Sequence, residues 1–203
     1  MADYISVVEL RGWLGITDNG EDTLLDQAIT ASTAWINEYC GQDFYQVEQN
    51  TSATERIFYA QRDPFRLFFN YDSIADTTNM VVRTDDNEDG TPETTWAASD
   101  WIVEAEKSGH VTGPFYAVRA VGNRWFPKSV NGRPLVYITA RWGWPTTPNP
   151  VKEAQYILAA EFWKMRDAPF GVAGFGEFGV VRVRRNPLVM QLLEPYRRGV
   201  PVL

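Results

Sequence analysis

Apolar side chains near the start of the chain recur at helical spacing. Leu25, Ala28, Ile29, Ser32, Trp35, Ile36 and Tyr39 fall at i, i+3 and i+4, which predicts an amphipathic helix over residues 22–40. Glu21, Asp22 and Asp26 stand near its N-terminal end, as the helix dipole favours, and Gly41 stands where the chain leaves a helix left-handed. Upstream, Ser6-Val7-Val8-Glu9 has the form of a capping box, so a short helix starts there and stops near Gly15. A polar turn, residues 17–20, separates the two helices.

The pattern changes after about residue 50. Short runs rich in β-branched and aromatic residues appear at 56–59, 66–69, 80–83, 94–96, 101–103, 115–121 and 135–141, divided by Asp, Asn, Gly and Pro. A stiff Pro-rich connector, residues 144–150, leads into a second long helix, with Asn149 suited to its cap and Pro150 to its first turn. Val151, Ala154, Ile157, Leu158, Phe162 and Met165 share one face of it, and Pro169 ends it. A glycine-rich stretch (171–179), a strand (180–184) and a short helix opened by Asn186-Pro187 and running through Leu193 complete the pattern.

Neither long helix can bury its apolar face alone. The expected fold is therefore α+β: a helical bundle formed by the N- and C-terminal helices, residues 1–49 plus 145–203, with an inserted antiparallel β region, residues 50–144, in a single subunit. Trp35 and Phe162 are expected in one shared helical core.

The 203 residues, 44% of them hydrophobic, suffice for one good-sized core. A net charge of −7 argues against a broad nucleic-acid grip. Cys40 is the only cysteine, so no internal disulfide forms. No secretion signal and no membrane-length apolar run is visible. Charge is unevenly spread. After Val180, five arginines (Arg182, Arg184, Arg185, Arg197, Arg198) face one glutamate, a net of +4, which leaves −11 on the rest. On charge alone this end is either a solvated tail or an arm that docks on an acidic partner.

Motifs that suggest chemistry weaken on inspection. Gly174, Gly176 and Gly179 match a dinucleotide fingerprint, but a helix precedes them and a strand follows, the reverse of what pyrophosphate binding needs. Asp85, Asn87 and Asp89, followed by Gly90, fit the first half of a calcium loop, yet its twelfth position is Trp96 instead of a bidentate Glu. An acidic hairpin tip is the expectation. His110 is the only histidine, which leaves no Cys/His zinc site and no supported Ser-His-Asp triad. No catalytic residue, cofactor or metal is expected, and the chain does not read as an enzyme.

Two blocks resemble the head-to-tail connector (adaptor, or head-completion) family of tailed phages. The first runs Val8-Glu9-Leu10-Arg11-Gly12-Trp13-Leu14-Gly15-Ile16, an acidic turn, then Leu24-Leu25 and on to Ala34-Trp35-Ile36-Asn37-Glu38-Tyr39-Cys40-Gly41. The second runs from Ile138-Thr139-Ala140-Arg141-Trp142-Gly143-Trp144 through the Pro150 helix to Leu192-Leu193-Glu194-Pro195-Tyr196-Arg197-Arg198. The resemblance implies a structural neck protein of the virion, assembled in the host cytoplasm. It implies a homo-oligomeric, commonly dodecameric ring beneath the portal that extends the DNA channel. By the same resemblance, genomic DNA is expected to pass without specific binding, the ring to be a platform for the next neck or tail-completion protein, and no membrane to be a partner. Arg182, Arg184, Arg185, Leu188, Leu192, Leu193, Tyr196, Arg197 and Arg198 are the expected partner-binding residues, with the portal as partner.

Two other classes compete. An aromatic-rich carbohydrate- or surface-binding β module would gather Trp96, Trp101, Trp125, Trp142 and Trp144 in one open groove, whereas a connector buries such rings in core or subunit contacts. A hydrolase would bring two of the 26 carboxylates together in a concave pocket.

Overall fold

A computed structural model describes residues 3–44, 53–69, 72–105, 114–165 and 186–198. The chain divides into two compact units, residues 1–44 with 147–203, and residues 45–146.

In the first unit, α1 (Val7–Leu14) starts at the capping box. The Ser6 hydroxyl accepts from the Glu9 amide, and the Glu9 carboxylate accepts from the Ser6 amide at 2.7 Å. Gly15 ends α1 at φ 73°, a conformation that a side chain resists. α2 (Asp22–Cys40) ends the same way at Gly41, φ 65°. α3 (Asn149–Met165) begins at the residue expected as its cap, one residue earlier than expected, with Pro148 accepting from the Val151 and Lys152 amides.

Ile5, Leu10, Leu25, Ala28, Ile29 and Ala159 form one apolar cluster, with Phe162 and Trp163 partly buried against it. The buried face of α2 is rotated from the expected one. Thr33 and Cys40 point inward, while Trp35 is half-buried and stacks on Tyr39, ring centres 5.2 Å apart. The expected Trp35–Phe162 core is thus corrected: Trp35 pairs with Tyr39 one turn away on the flank of α2, while Phe162 of α3 packs on the cluster of smaller side chains. Gln155 of α3 sits fully buried there and donates to the Ile29 carbonyl at 3.3 Å and the Thr33 hydroxyl at 2.6 Å.

The second unit holds seven antiparallel strands: β1 (Thr54–Phe58), β2 (Arg66–Phe68), β3 (Ile74–Thr84), β4 (Thr94–Thr95), β5 (Trp101–Ala105), β6 (Phe115–Ala120) and β7 (Val136–Trp142). Their order is β1-β7-β3-β6-β2, with β4 on β3 and β5 on β6. β3 meets β6 only at Ile74–Phe115, so the sheet curls there from β1-β7-β3-β4 into β2-β6-β5. A bulge assists: between Asp76 and Val81, β3 runs out of register with β7, and Asn79 takes φ 57°. The curl encloses Leu67, Phe69, Ile74, Val82, Val118, Phe126, Ile138 and Trp142.

The α+β class and the seven expected strands hold. The strand expected at 180–184 and the glycine-rich motif lie outside the described residues. Trp142 is the largest fully buried side chain; it contacts Phe58 and Phe69, donates to the Thr54 carbonyl at 2.8 Å and lies under the Arg56 guanidinium. Trp142→Ala is expected to cost about 3–5 kcal/mol. Trp125→Ala, on a ring 61% exposed, should stay within about 0.5 kcal/mol of wild type. Urea unfolding of both variants measures the contrast.

Candidate functional site

Residues 186–198 of the C-terminal arm fold back on their own unit. Helix α4 (Pro187–Leu193) is capped by Asn186, whose side chain accepts from the Leu188 and Val189 amides and donates to Glu161 of α3 at 2.5 Å. A 3-10 turn, Glu194–Tyr196, follows at the end of α2. There the Tyr39 hydroxyl donates to Glu194 at 2.9 Å, Gln42 donates to the Tyr196 carbonyl at 2.6 Å, and the Arg198 amide donates to the Cys40 carbonyl at 2.9 Å. The Arg197 guanidinium lies over the Tyr39 ring and 3.6 Å from Glu194. Cys40 is buried beneath, and burial pushes its thiol up to about 12, which removes it as a nucleophile at neutral pH.

Of the nine expected partner-binding residues, the structure brings Leu188, Leu192, Leu193, Tyr196, Arg197 and Arg198 into this one segment. Arg182, Arg184 and Arg185 lie outside the described residues. Leu193 is fully buried with Val189 and holds α4 down. Tyr196 packs edge-on against Phe44. Leu188, 53% exposed, and Arg197 are the side chains of this set most open to a partner. Charge is opposed within the unit's sequence, since residues 1–44 carry eight carboxylates against Arg11 alone.

The acidic turn is the loop between β3 and β4. Carboxylate oxygens of Asp85, Asp89 and Glu93 lie within 4.8 Å of one another. They are occupied by the loop's own amides. Asp85 accepts from Asp89 and Gly90, Asp89 from Thr91, and Glu93 from Asp86. Asn87 is likewise engaged with Asp89, and Trp96, at the twelfth position, is buried in the core. The donor set is that of a self-capped turn. The melting temperature is therefore expected to be the same in excess chelator and in millimolar calcium; a chelator-induced fall that calcium reverses would overturn this.

Glu88 does different work. Held at φ 62°, its carboxylate accepts from the Val130 and Asn131 amides and the Ser129 hydroxyl, and its carbonyl accepts from Arg133. The Val130 amide, first among these donors, holds the carboxyl below its ordinary value of 4.5. A lowered folded-state value gives stability at higher pH that is lost as pH falls through it. Wild type is thus expected to exceed Glu88→Gln in melting temperature at pH 7, and the gap should close as pH falls from about 4.5 downward.

The tryptophans do not form a groove. Trp96 and Trp142 are buried, Trp101 and Trp144 partly so, and Trp125 is exposed. Sequence reasoning missed another surface. Ile57, Tyr59, Phe65 and Phe68 are each 44–61% exposed. Beside them Ile57, Phe58, Tyr59, Phe68 and Phe69 line a cavity of about 290 Å³. The signal was present: Ile57-Phe58-Tyr59 and Leu67-Phe68-Phe69 are apolar on both faces of short strands, where alternation with polar residues marks a solvated face. His110 lies outside the described residues.

Residues 4–94 match the profile of the phage gp6-like head-tail connector proteins. No curated protein sequence matches the chain. Among solved structures, the fold matches a chain in the neck of an empty gene transfer agent particle computed with C6 symmetry, at 21% identity and TM-score 0.58, over 97% of this chain and 90% of that one. A chain of the virion of a native gene transfer agent particle matches with the same figures. A chain in the neck of the native particle computed with C12 symmetry matches at 21% identity and TM-score 0.50, over 95% and 88%. At that identity the likeness is one of fold. The profile covers the first of the two blocks read in the sequence, and over residues 4–94 the chain carries the pattern of the phage gp6-like head-tail connector proteins.

Proposed function

We propose that this chain is a structural neck protein of a tailed-phage-like virion, a head-to-tail connector subunit at the head–tail junction, and not an enzyme. The observation that carries the reading is a coincidence of two independent likenesses. The connector profile spans residues 4–94, and the fold of 97% of the chain is that of neck chains whose particles were computed with C6 and C12 symmetry. That symmetry supports a homo-oligomeric ring for this chain, and twelve copies is our expectation.

Beneath the portal, such a ring extends the DNA channel and gives the next neck or tail-completion protein its platform. The net charge of −7 suits a wall along which DNA slides. The first unit acts as a bundle of N- and C-terminal helices, and residues 50–144 as a β insertion within one subunit. Portal docking falls to the arm: Arg182, Arg184 and Arg185 with the outward face of α4 at Leu188. Deleting residues 180–203 is a poor test, because it strips Val189 and Leu193 from the core.

Complementation of particles produced without this chain is the better test. Without it, DNA-filled heads lacking tails are expected, and wild type should restore tailed particles. A variant with Arg182, Arg184 and Arg185 changed to Glu should fold and restore few, with a deficit that eases at high salt. Tailed, infectious particles in the absence of the chain would overturn the connector reading. Full restoration by the triple variant would overturn the arm's role alone.

A further inference from the structure

We propose that Ile57, Tyr59, Phe65, Phe68 and Trp125 form a subunit–subunit contact on the β unit, and that its occupant is a second copy of this chain. This rests on the ring reading above.

Ile57, Tyr59 and Phe68 border one cavity, and Phe65 and Trp125 lie on the segments that adjoin it. In β1, Phe58 packs inward on Phe69 and Trp142 while its neighbours Ile57 and Tyr59 point out, 50% and 61% exposed. In β2, Leu67 is buried and Phe68 is 44% exposed. The Phe126 amide donates to the Pro64 carbonyl at 2.7 Å and the Ala120 amide to the Phe65 carbonyl at 2.8 Å, so the segment bearing Trp125 runs along Phe65. Phe126 turns inward onto Trp96, which leaves Trp125 outside. Apolar patches of about 300–600 Å² are the largest that a typical monomer exposes, and they are often functional.

The surface also restricts its occupant. Strand addition on β2 is blocked at Phe68, where the Gln61 side-chain amide takes both the backbone carbonyl, at 2.9 Å, and the N–H, at 3.3 Å. Contact must run through side chains. Charges around the patch are already paired, Arg56 with Asp72, Arg66 with Glu104 and Arg124 with Asp100, and the Arg66 guanidinium lies over the Phe68 ring. These pairs favour an apolar protein face over nucleic acid or an acidic peptide. The cavity at the patch, lined by Phe58 and Phe69 among others, holds about 290 Å³. It suits one large anchoring side chain.

Area points to a second copy. Five half-exposed large side chains offer about 400–600 Å², short of the roughly 800 Å² per partner of a stable pair. A weak pairwise contact is sufficient in a closed ring, where every copy is held on two sides and closure adds avidity. A lone partner of another kind would need a fuller interface.

The test uses assembled particles and the full chain. Benzoylphenylalanine placed at position 59 or 65 should cross-link, on illumination, to a second copy of the chain. A Tyr59→Glu/Phe65→Glu variant should keep the wild-type melting temperature, yet enter particles at less than about a tenth of the wild-type level. Val8→Glu, on α1 at a residue 66% exposed, is the control and should enter normally. Cross-links to a different protein, or normal entry of the double variant, would overturn the contact and leave the ring intact. A single copy per particle would remove the ring reading itself.

Discussion

The hydrogen bond from the Thr147 hydroxyl to the Phe44 carbonyl, 2.8 Å long, joins the two points where the chain leaves and re-enters the helical unit. The rest of the structure depends on that closure. Leu25, Ile29 and Thr33 of α2 find their partners on α3 only if the intervening chain returns to its starting point. Closing a flexible loop of about 100 residues costs roughly 4 kcal/mol in chain entropy. The β unit offsets that cost by closing itself. β1 and β7 are antiparallel with Thr54 opposite Ala140, so the unit's first strand begins where its last one ends. Trp142 locks the junction by donating to the Thr54 carbonyl from a fully buried ring. A helical scaffold can accept a long insertion on these terms, provided the insertion has its own core.

That core also determines what remains for partners. The curl of the sheet buries side chains of β2, β3, β6 and β7, with Phe58 of β1 and Trp101 and Val103 of β5 packed against them, and loop contacts such as Glu88 with residues 129–131 seal its rim. The helical unit is sealed in turn by α4 and the turn after it, which cover Cys40 and the end of α2. Leu188 and Arg197 of the C-terminal segment, and the apolar patch on the β unit, stay open at the surface, and both are means of association.

Much of this was legible in the sequence because it is local. The capping box at Ser6 and Glu9, the left-handed glycines at 15 and 41, and the turn residues between strands each act within a few positions. What was not legible depends on tertiary context. Periodicity alone placed Trp35 inward, but close approach of α3 needs Thr33 and Cys40 on that face. Gln155 reads as a surface residue until the Ile29 carbonyl and Thr33 hydroxyl are brought to it across the insertion. Leu188 and Leu193 are alike in sequence, and packing alone sends one outward and the other into the core. The patch at Ile57 and Tyr59 was hidden because an apolar strand residue is ordinarily credited to the core.

Cryo-electron microscopy of the neck in intact particles, reconstructed without imposed symmetry, tests the central claim most directly. The account predicts a closed ring of copies of this chain around the DNA channel, directly below the portal. Density for this chain at the outer surface of the particle, in a tail fibre, or as an isolated copy off the channel axis would contradict it.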